Sequence, residues 1–143
     1  RALTIRAVVT EASGRTSWVF LSETTLPRAA TPLNIDGSTV GTAASAATDG
    51  MLLMRHLFGL SGASLIDGVV DASATRNATT IAQYLTSNNP AFDVDGDGIV
   101  SPTSDGLLVL RYLLGLRGTA LTQGAAAGTL PVTEIERRIA ALL

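Results

Sequence analysis

The chain repeats itself, and this constrains its fold more than any other feature. The stretch DGMLLMRHLFGLSGASL (49–65) aligns without gaps on DGLLVLRYLLGLRGTAL (105–121), an offset of 56 residues. Nine of the seventeen positions are identical, among them Arg55/Arg111, Gly59/Gly115 and Gly62/Gly118. Such self-similarity implies two copies of one supersecondary unit that bury their apolar faces together. Each copy runs in the same order: a polar Asp/Gly/Ser/Thr segment, an apolar helix, a glycine-ended loop, a second helix. The first helix is expected from Asp49 or Asp105 to Gly59 or Gly115, the glycine taking the left-handed conformation that stops a helix. In the second copy it is apolar nearly all round, with Leu107, Leu108, Val109, Leu110, Leu113, Leu114 and Leu116. A helix without a polar face is either buried or shared with a partner surface; the expectation is that copy packs on copy. The second helices read as conventional ones: NATTIAQYL with Asn77 as N-cap, and TEIERRIAALL with Thr133 and Glu136 in capping-box spacing.

Residues 2–22, ALTIRAVVTEASGRTSWVFLS, have a different character. Two alternating, β-branched runs flank an ASGR turn, the pattern of a hairpin. A lone hairpin is marginal in water, so the segment reads as the end of a β-sandwich-like element or as a hairpin packed on the rest of the chain. The domain expectation is therefore a β-hairpin at 1–25, a Pro/Ala/Thr linker at 26–33 and a tandem domain at 34–143, with its two copies at 34–87 and 88–143. The fold class expected is mainly α: tandem calcium-loop–helix repeats with pseudo-twofold symmetry, preceded by the N-terminal β-hairpin. The absence of an initiating Met and of a signal peptide leads to the expectation of a piece of a longer protein.

The chemistry is concentrated in DVDGDGIVSPTSD (93–105), which holds four of the chain's twelve acidic residues in thirteen positions. Four carboxylates this close repel one another, so the loop calls for a cation. Asp93, Asp95 and Asp97 stand at positions 1, 3 and 5, and Gly98 falls at position 6, where the chain turns sharply. Ile99 at position 7 can offer its carbonyl, and Asp105 closes the loop while starting the helix, whose N-terminus also favours a carboxylate. Alternating oxygen ligands around a turning glycine suit a hard cation that takes six to eight oxygens. Oxygen-only donors favour Ca²⁺ over Zn²⁺, and a flexible seven-coordinate arrangement favours it over Mg²⁺. The first copy is worn: NIDGSTVGTAASAATD offers Asn34, Asp36 and Ser38 at the same three places, has Thr39 in place of the glycine, and closes on Asp49 after three extra residues. It is expected to bind an ion more weakly than the second loop.

DVDGDGIVSPTSDGLLVLRYLLGLRG, with its echo at 34–62, resembles a dockerin-type calcium-binding repeat pair, as found near the C-termini of large bacterial secreted proteins. The resemblance covers roughly residues 34–143. It implies two calcium ions, held by Asp93, Asp95, Asp97, the Ile99 carbonyl and Asp105 in one loop, and by Asn34, Asp36, Ser38 and Asp49 in the other. It also implies docking onto a cohesin-like or other extracellular partner through residues before the closing Asp and along the next helix. By position these are Thr103, Ser104, Arg111 and Tyr112, with Ala47, Thr48, Arg55 and His56 in the other copy. The chain departs from the family in its longer loops and in carrying a further helix in each copy, features that bear on partner binding more than on calcium.

Other function classes find little support. Net charge is −2 and all ten basic residues are Arg, with no basic stripe or interleaved aromatic set for nucleic acid. Without Cys there are no disulfides or thiolate metal sites, and no apolar run approaches the roughly 18 residues of a membrane span. The single histidine, His56, lies in a leucine-rich helix, and no nucleophile and base fall in a recognisable arrangement, so an enzyme is not expected. The NAT triplet at 77–79 matches a glycosylation acceptor, but Asn77 already serves as a cap. The reading is a calcium-dependent docking module of a secreted or surface bacterial protein; the alternative is a structural calcium module without a dedicated partner.

Overall fold

A computed structural model describes residues 7–10, 16–19, 32–40, 44–125 and 127–143. The chain divides into two compact units, Arg1–Ala30 and Thr31–Leu143. The linker expected at 26–33 lies, up to residue 31, outside the described residues, as does the ASGR turn.

The β part of the expected fold class is corrected. The compact fold is helical, with six α-helices and no strand among the described residues of Thr31–Leu143. In the first unit the described residues are two four-residue strands, Ala7–Thr10 (β1) and Thr16–Val19 (β2), antiparallel with Ala7 opposite Val19. They make a two-stranded sheet, and no β-sandwich-like element is seen among the described residues. Sequence alternation reports that a strand can pair; a sandwich needs a second sheet to face the first, and none exists among the described residues.

The helical unit is the duplication made visible. In the first copy α1 (Met51–Leu57), α2 (Ala63–Ile66) and α3 (Ala78–Asn88) follow the loop; in the second, α4 (Leu107–Leu113), α5 (Thr119–Thr122) and α6 (Val132–Ala141) do so. α1 and α4 start two residues later than the sequence pattern predicts, because each is entered through one widened helical turn, Ala46–Gly50 or Pro102–Gly106. Their ends match the prediction. Gly59 (φ +83°) and Gly115 (φ +89°) are left-handed, and the following amides reach back to Arg55 O at 2.9 Å and Arg111 O at 3.0 Å, closing the helix with its orphan carbonyls satisfied.

The Asp-Gly pairs ahead of α1 and α4 explain how the copies meet. A Cβ on Gly106 would lie 2.7 Å from Met54 Sδ and 3.1 Å from Leu57 Cδ1; one on Gly50 would lie 3.0 Å from Leu110 Cδ1 and 3.3 Å from Leu113 Cδ1. Each copy's helix therefore seats its C-terminal side chains on the other copy's glycine, a reciprocal close contact that a Cβ at either position would crowd. Copy packs on copy. Leu52, Leu53, Leu108 and Val109 are fully buried and share one core with Leu33, Ile35, Phe92, Val94, Ile81, Leu85, Ile135 and Ile139. Each buried side chain of this size contributes about 1.5–3 kcal/mol.

α3 opens on Asn77, whose Oδ1 accepts the Thr80 N–H at 3.0 Å while Thr80 Oγ1 accepts the Asn77 N–H at 2.9 Å. The capping box expected at Thr133/Glu136 does not form. α6 begins on Pro131, which has no side-chain cap, and Glu136 instead accepts the Gly118 N–H at 2.7 Å. Proline presets an extended backbone ahead of the helix, so the helix starts before Thr133 can cap it. Among the described residues no helix is long and apolar enough to cross a membrane.

Candidate metal centre

The second loop is shaped by its own carboxylates. Asp93 accepts the Gly96 N–H at 2.8 Å and the Gly98 N–H at 3.1 Å, Asp95 accepts the Asp97 N–H at 3.3 Å, and Asp97 accepts the Ile99 N–H at 2.7 Å. Gly96 (φ +74°) and Gly98 (φ +85°) take the left-handed turns that bend the chain around these groups. One carboxylate oxygen from each of Asp93, Asp95 and Asp97 lies within 4.8 Å of the others. Three such charges repel by roughly 3–4 kcal/mol a pair at an effective dielectric of about 20. An all-oxygen group of this kind could hold a hard metal ion. Ile99, whose carbonyl was assigned to the ion, is 66% exposed.

Asp105 plays a different part. It is fully buried and stands outside that group of three. One of its oxygens accepts the Val94 N–H at 2.8 Å and the Asp95 N–H at 3.4 Å; the other accepts the Ser101 N–H at 3.0 Å and the Ser104 hydroxyl at 2.9 Å. The carboxylate thus clasps both ends of its loop to the start of the helix. Burial pushes its pKa above the ordinary value, against the pull of the hydrogen bonds from Ser101, Ser104 and Val94. Asp49 repeats the clasp, accepting from Ile35 N–H at 2.8 Å, Ser45 N–H at 3.0 Å and the Thr48 hydroxyl at 3.0 Å.

In the first loop, of which residues 41–43 lie outside the described set, Asn34, Asp36 and Ser38 stand where Asp93, Asp95 and Asp97 stand in the second. Asp36 is buried and accepts the Ser38 N–H at 2.9 Å. Asn34 Nδ2 donates to the Ser38 carbonyl at 3.1 Å, which leaves Asn34 Oδ1 facing inward. Among the described residues, Asn34 Oδ1 is the one buried side-chain polar atom without a hydrogen-bond partner. Buried polar oxygens are nearly always satisfied, and this one sits at the first position of its loop. The acidic group that could hold a metal ion among the described residues is thus Asp93, Asp95 and Asp97 of the second loop; the first loop offers fewer charges at the same places.

Two kinds of contact reach the loops from outside, one from backbone amides and one from arginines. The Asp71 N–H donates to Asp36 Oδ2 at 2.8 Å, and the Ala127 N–H to Asp95 Oδ2 at 2.8 Å; Asp71 and Ala127 are 56 residues apart, the repeat offset. Gly128 runs so close to the Asp95 carbonyl that a Cβ would collide with it. Arg76 Nη1 donates to the Asn34 carbonyl at 2.6 Å and the Ile35 carbonyl at 2.9 Å, and Arg138 Nη1 donates to the Asp93 carbonyl at 3.2 Å. These donors lie 32–45 residues from their acceptors, and no periodicity announces them; the shared offset of Asp71 and Ala127 is the only available signal.

The residues assigned to a partner face are spread between solvent and interior. Ser104 is buried against Asp105, and Thr48 bonds Asp49. Arg55 donates to the Leu65 and Asp67 carbonyls at 3.3 and 2.8 Å, and Arg111 to those of Leu121 and Gln123 at 2.9 and 2.9 Å. Each arginine thereby secures the end of the short helix that follows. Tyr112 lies under the Arg117 guanidinium, 3.4 Å from the ring centroid. Its counterpart His56 is half-buried, which lowers its pKa. Ala47 and Thr103 are exposed, as are Phe58 and Leu114, equivalent residues at the ends of α1 and α4 that are 60% and 63% exposed. Compared with known proteins, the chain matches no family model, no curated sequence and no solved structure.

Proposed function

We propose that residues 34–143 form a calcium-binding, dockerin-like module of a secreted or cell-surface bacterial protein, which docks a protein partner when calcium is bound and has no enzymatic activity. The observation that carries the reading is the group of Asp93, Asp95 and Asp97 oxygens at alternating positions of a glycine-turned loop. Its placement directly ahead of a helix, and its repetition at Asn34–Asp49, support two ions, the stronger in the second loop. Ca²⁺ supplies the positive charge that offsets the clustered carboxylates and couples the two ends of each loop. Extracellular modules work with dissociation constants on the order of 10⁻⁴ to 10⁻³ M.

A second reading has its own support. Arg55, Arg111 and Ser104, three of the residues assigned to a partner face, are engaged in intramolecular hydrogen bonds. This favours a structural module in which calcium stabilises the fold without a dedicated partner. Metal bound only by the folded chain adds directly to its stability, about 2.7 kcal/mol at a hundredfold excess over the dissociation constant. Thermal unfolding with calcium and with EDTA tests the shared part: an unchanged midpoint removes both readings. Capture of one defined, cohesin-like partner by the calcium-loaded chain, abolished by EDTA, selects docking; calcium-dependent stability without such capture selects the structural module.

A further inference from the structure

Both loops are held from outside by the same pair of contacts, and one of the two is not explained by duplication. The amides of Asp71 and Ala127 sit at equivalent places in the two copies. The arginines do not: Arg76 precedes the cap of α3, Arg138 lies within α6, and they are 62 residues apart where the repeat is 56. Yet each sends Nη1 to the carbonyl of the first loop position, Asn34 or Asp93. A contact reached from two unrelated positions answers a need of the loop. In the second loop that need is visible in the charge, since oxygens of Asp93, Asp95 and Asp97 converge there, and guanidinium stays protonated at any physiological pH. The loop glycines make room for it. A Cβ on Gly37 would lie 3.3 Å from Arg76 Cγ, and one on Gly96 would lie 3.3 Å from Arg138 Nη1. Arg76 is further fixed by stacking over Tyr84, 4.0 Å from the ring centroid, and Arg138 by Glu134 at 3.3 Å.

We propose that Arg76 and Arg138 are positioning residues that hold the metal-free loops in their closed shape, so that seating of the third helical segment of each copy and ion binding are linked equilibria. The proposal rests on the metal-site reading for its second half only. Linkage is reciprocal: a partner or protease that lifts α6 weakens ion binding at the second loop by the same factor by which the ion secures α6. The third helix of each copy is then a working part of the metal site, and its displacement a route to releasing the ion.

Amide hydrogen exchange on the full chain in EDTA tests this. Arg138→Met removes the contact to Asp93. It is expected to speed exchange of the Gly96, Gly98 and Ile99 amides by about tenfold, equivalent to about 1.4 kcal/mol. Glu134→Gln removes the ion pair to Arg138 but leaves the carbonyl contact, and is expected to stay within about twofold of the unaltered chain, well under that 1.4 kcal/mol. Arg76→Met is expected to loosen the first loop while leaving residues 93–99 unchanged, and carries the test if Arg138→Met does not fold. Equal exchange in Arg138→Met and the unaltered chain overturns the proposal, as does an equal increase in Glu134→Gln. Calcium titration of the same variants separates the two halves: about tenfold weaker binding by Arg138→Met is expected, the same 1.4 kcal/mol. An unaltered chain that binds no calcium, with the exchange pattern intact, removes the metal reading and leaves the positioning role standing.

Discussion

Asp105 should matter to stability even where no metal is present, and replacing it isolates that role. In Asp105→Ala the buried Val94 N–H and the partly buried Ser101 N–H, now held at 2.8 and 3.0 Å, lose their acceptor. The Asp95 N–H, at 3.4 Å, loses a weaker one, and the Ser104 hydroxyl can turn elsewhere. Each stranded buried donor costs about 1–3 kcal/mol, and removal of a buried carboxylate returns part of that by ending its desolvation. The net expectation is a loss of about 2–4 kcal/mol, a large part of a total on the order of 5–15 kcal/mol. Asp105→Asn keeps one acceptor oxygen and should lose about half as much. Asp97→Ala is the contrast: Asp97 is exposed and belongs to the repelling group, so its loss in EDTA should not lower stability and relieves part of that repulsion. Urea unfolding in excess EDTA measures all three. Equal losses for Asp105→Ala and Asp97→Ala would refute the division between a clasp that shapes the loop and carboxylates that await an ion.

Other substitutions probe the contacts that place the site. Gly128→Ala forces a Cβ against the Asp95 carbonyl; urea unfolding should register a loss of about 1–3 kcal/mol from overpacking. Arg111→Met withdraws the guanidinium from the Leu121 and Gln123 carbonyls. The same assay should show a loss of about 1–2 kcal/mol, with Arg55→Met behaving alike. Glu134 is held at a pKa of about 2, against an ordinary 4.5, first by its hydrogen bond from Arg137. Its contribution is therefore present above pH 4.5 and lost as pH falls toward 2. Acid unfolding of Glu134→Gln should differ from that of the unaltered chain above this window and converge with it below.

Much of this was legible in the sequence where the signal is local or repeated. The offset between Asp49 and Asp105 exposed the two copies, Gly59 and Gly115 marked the ends of α1 and α4, and Asn77 marked the start of α3. The alternation of Asp93, Asp95 and Asp97 placed the carboxylates that come together. What could not be read depends on contacts between distant segments. The burial of Asp36 and Asp95 follows from straps that arrive 32–35 residues later, and Arg76 and Arg138 look like ordinary surface arginines until the fold brings them to the loops. At Thr133 local spacing misled, because Pro131 had already set the backbone for the helix. At the N-terminus, alternation described the strands' own pattern but carried no information about a second sheet.

The central claim is that this chain binds calcium through the loop at 93–105, and isothermal titration of calcium into the EDTA-stripped, dialysed full chain tests it most directly. Saturable binding is expected, with a dissociation constant on the order of 10⁻³ M or tighter. Asp97→Ala, which should fold as the unaltered chain does, is expected to weaken the tighter site at least about tenfold, or 1.4 kcal/mol. Absence of binding at calcium concentrations on the order of 10⁻² M, well above the range of extracellular modules, would contradict the claim, as would identical titrations of the two proteins.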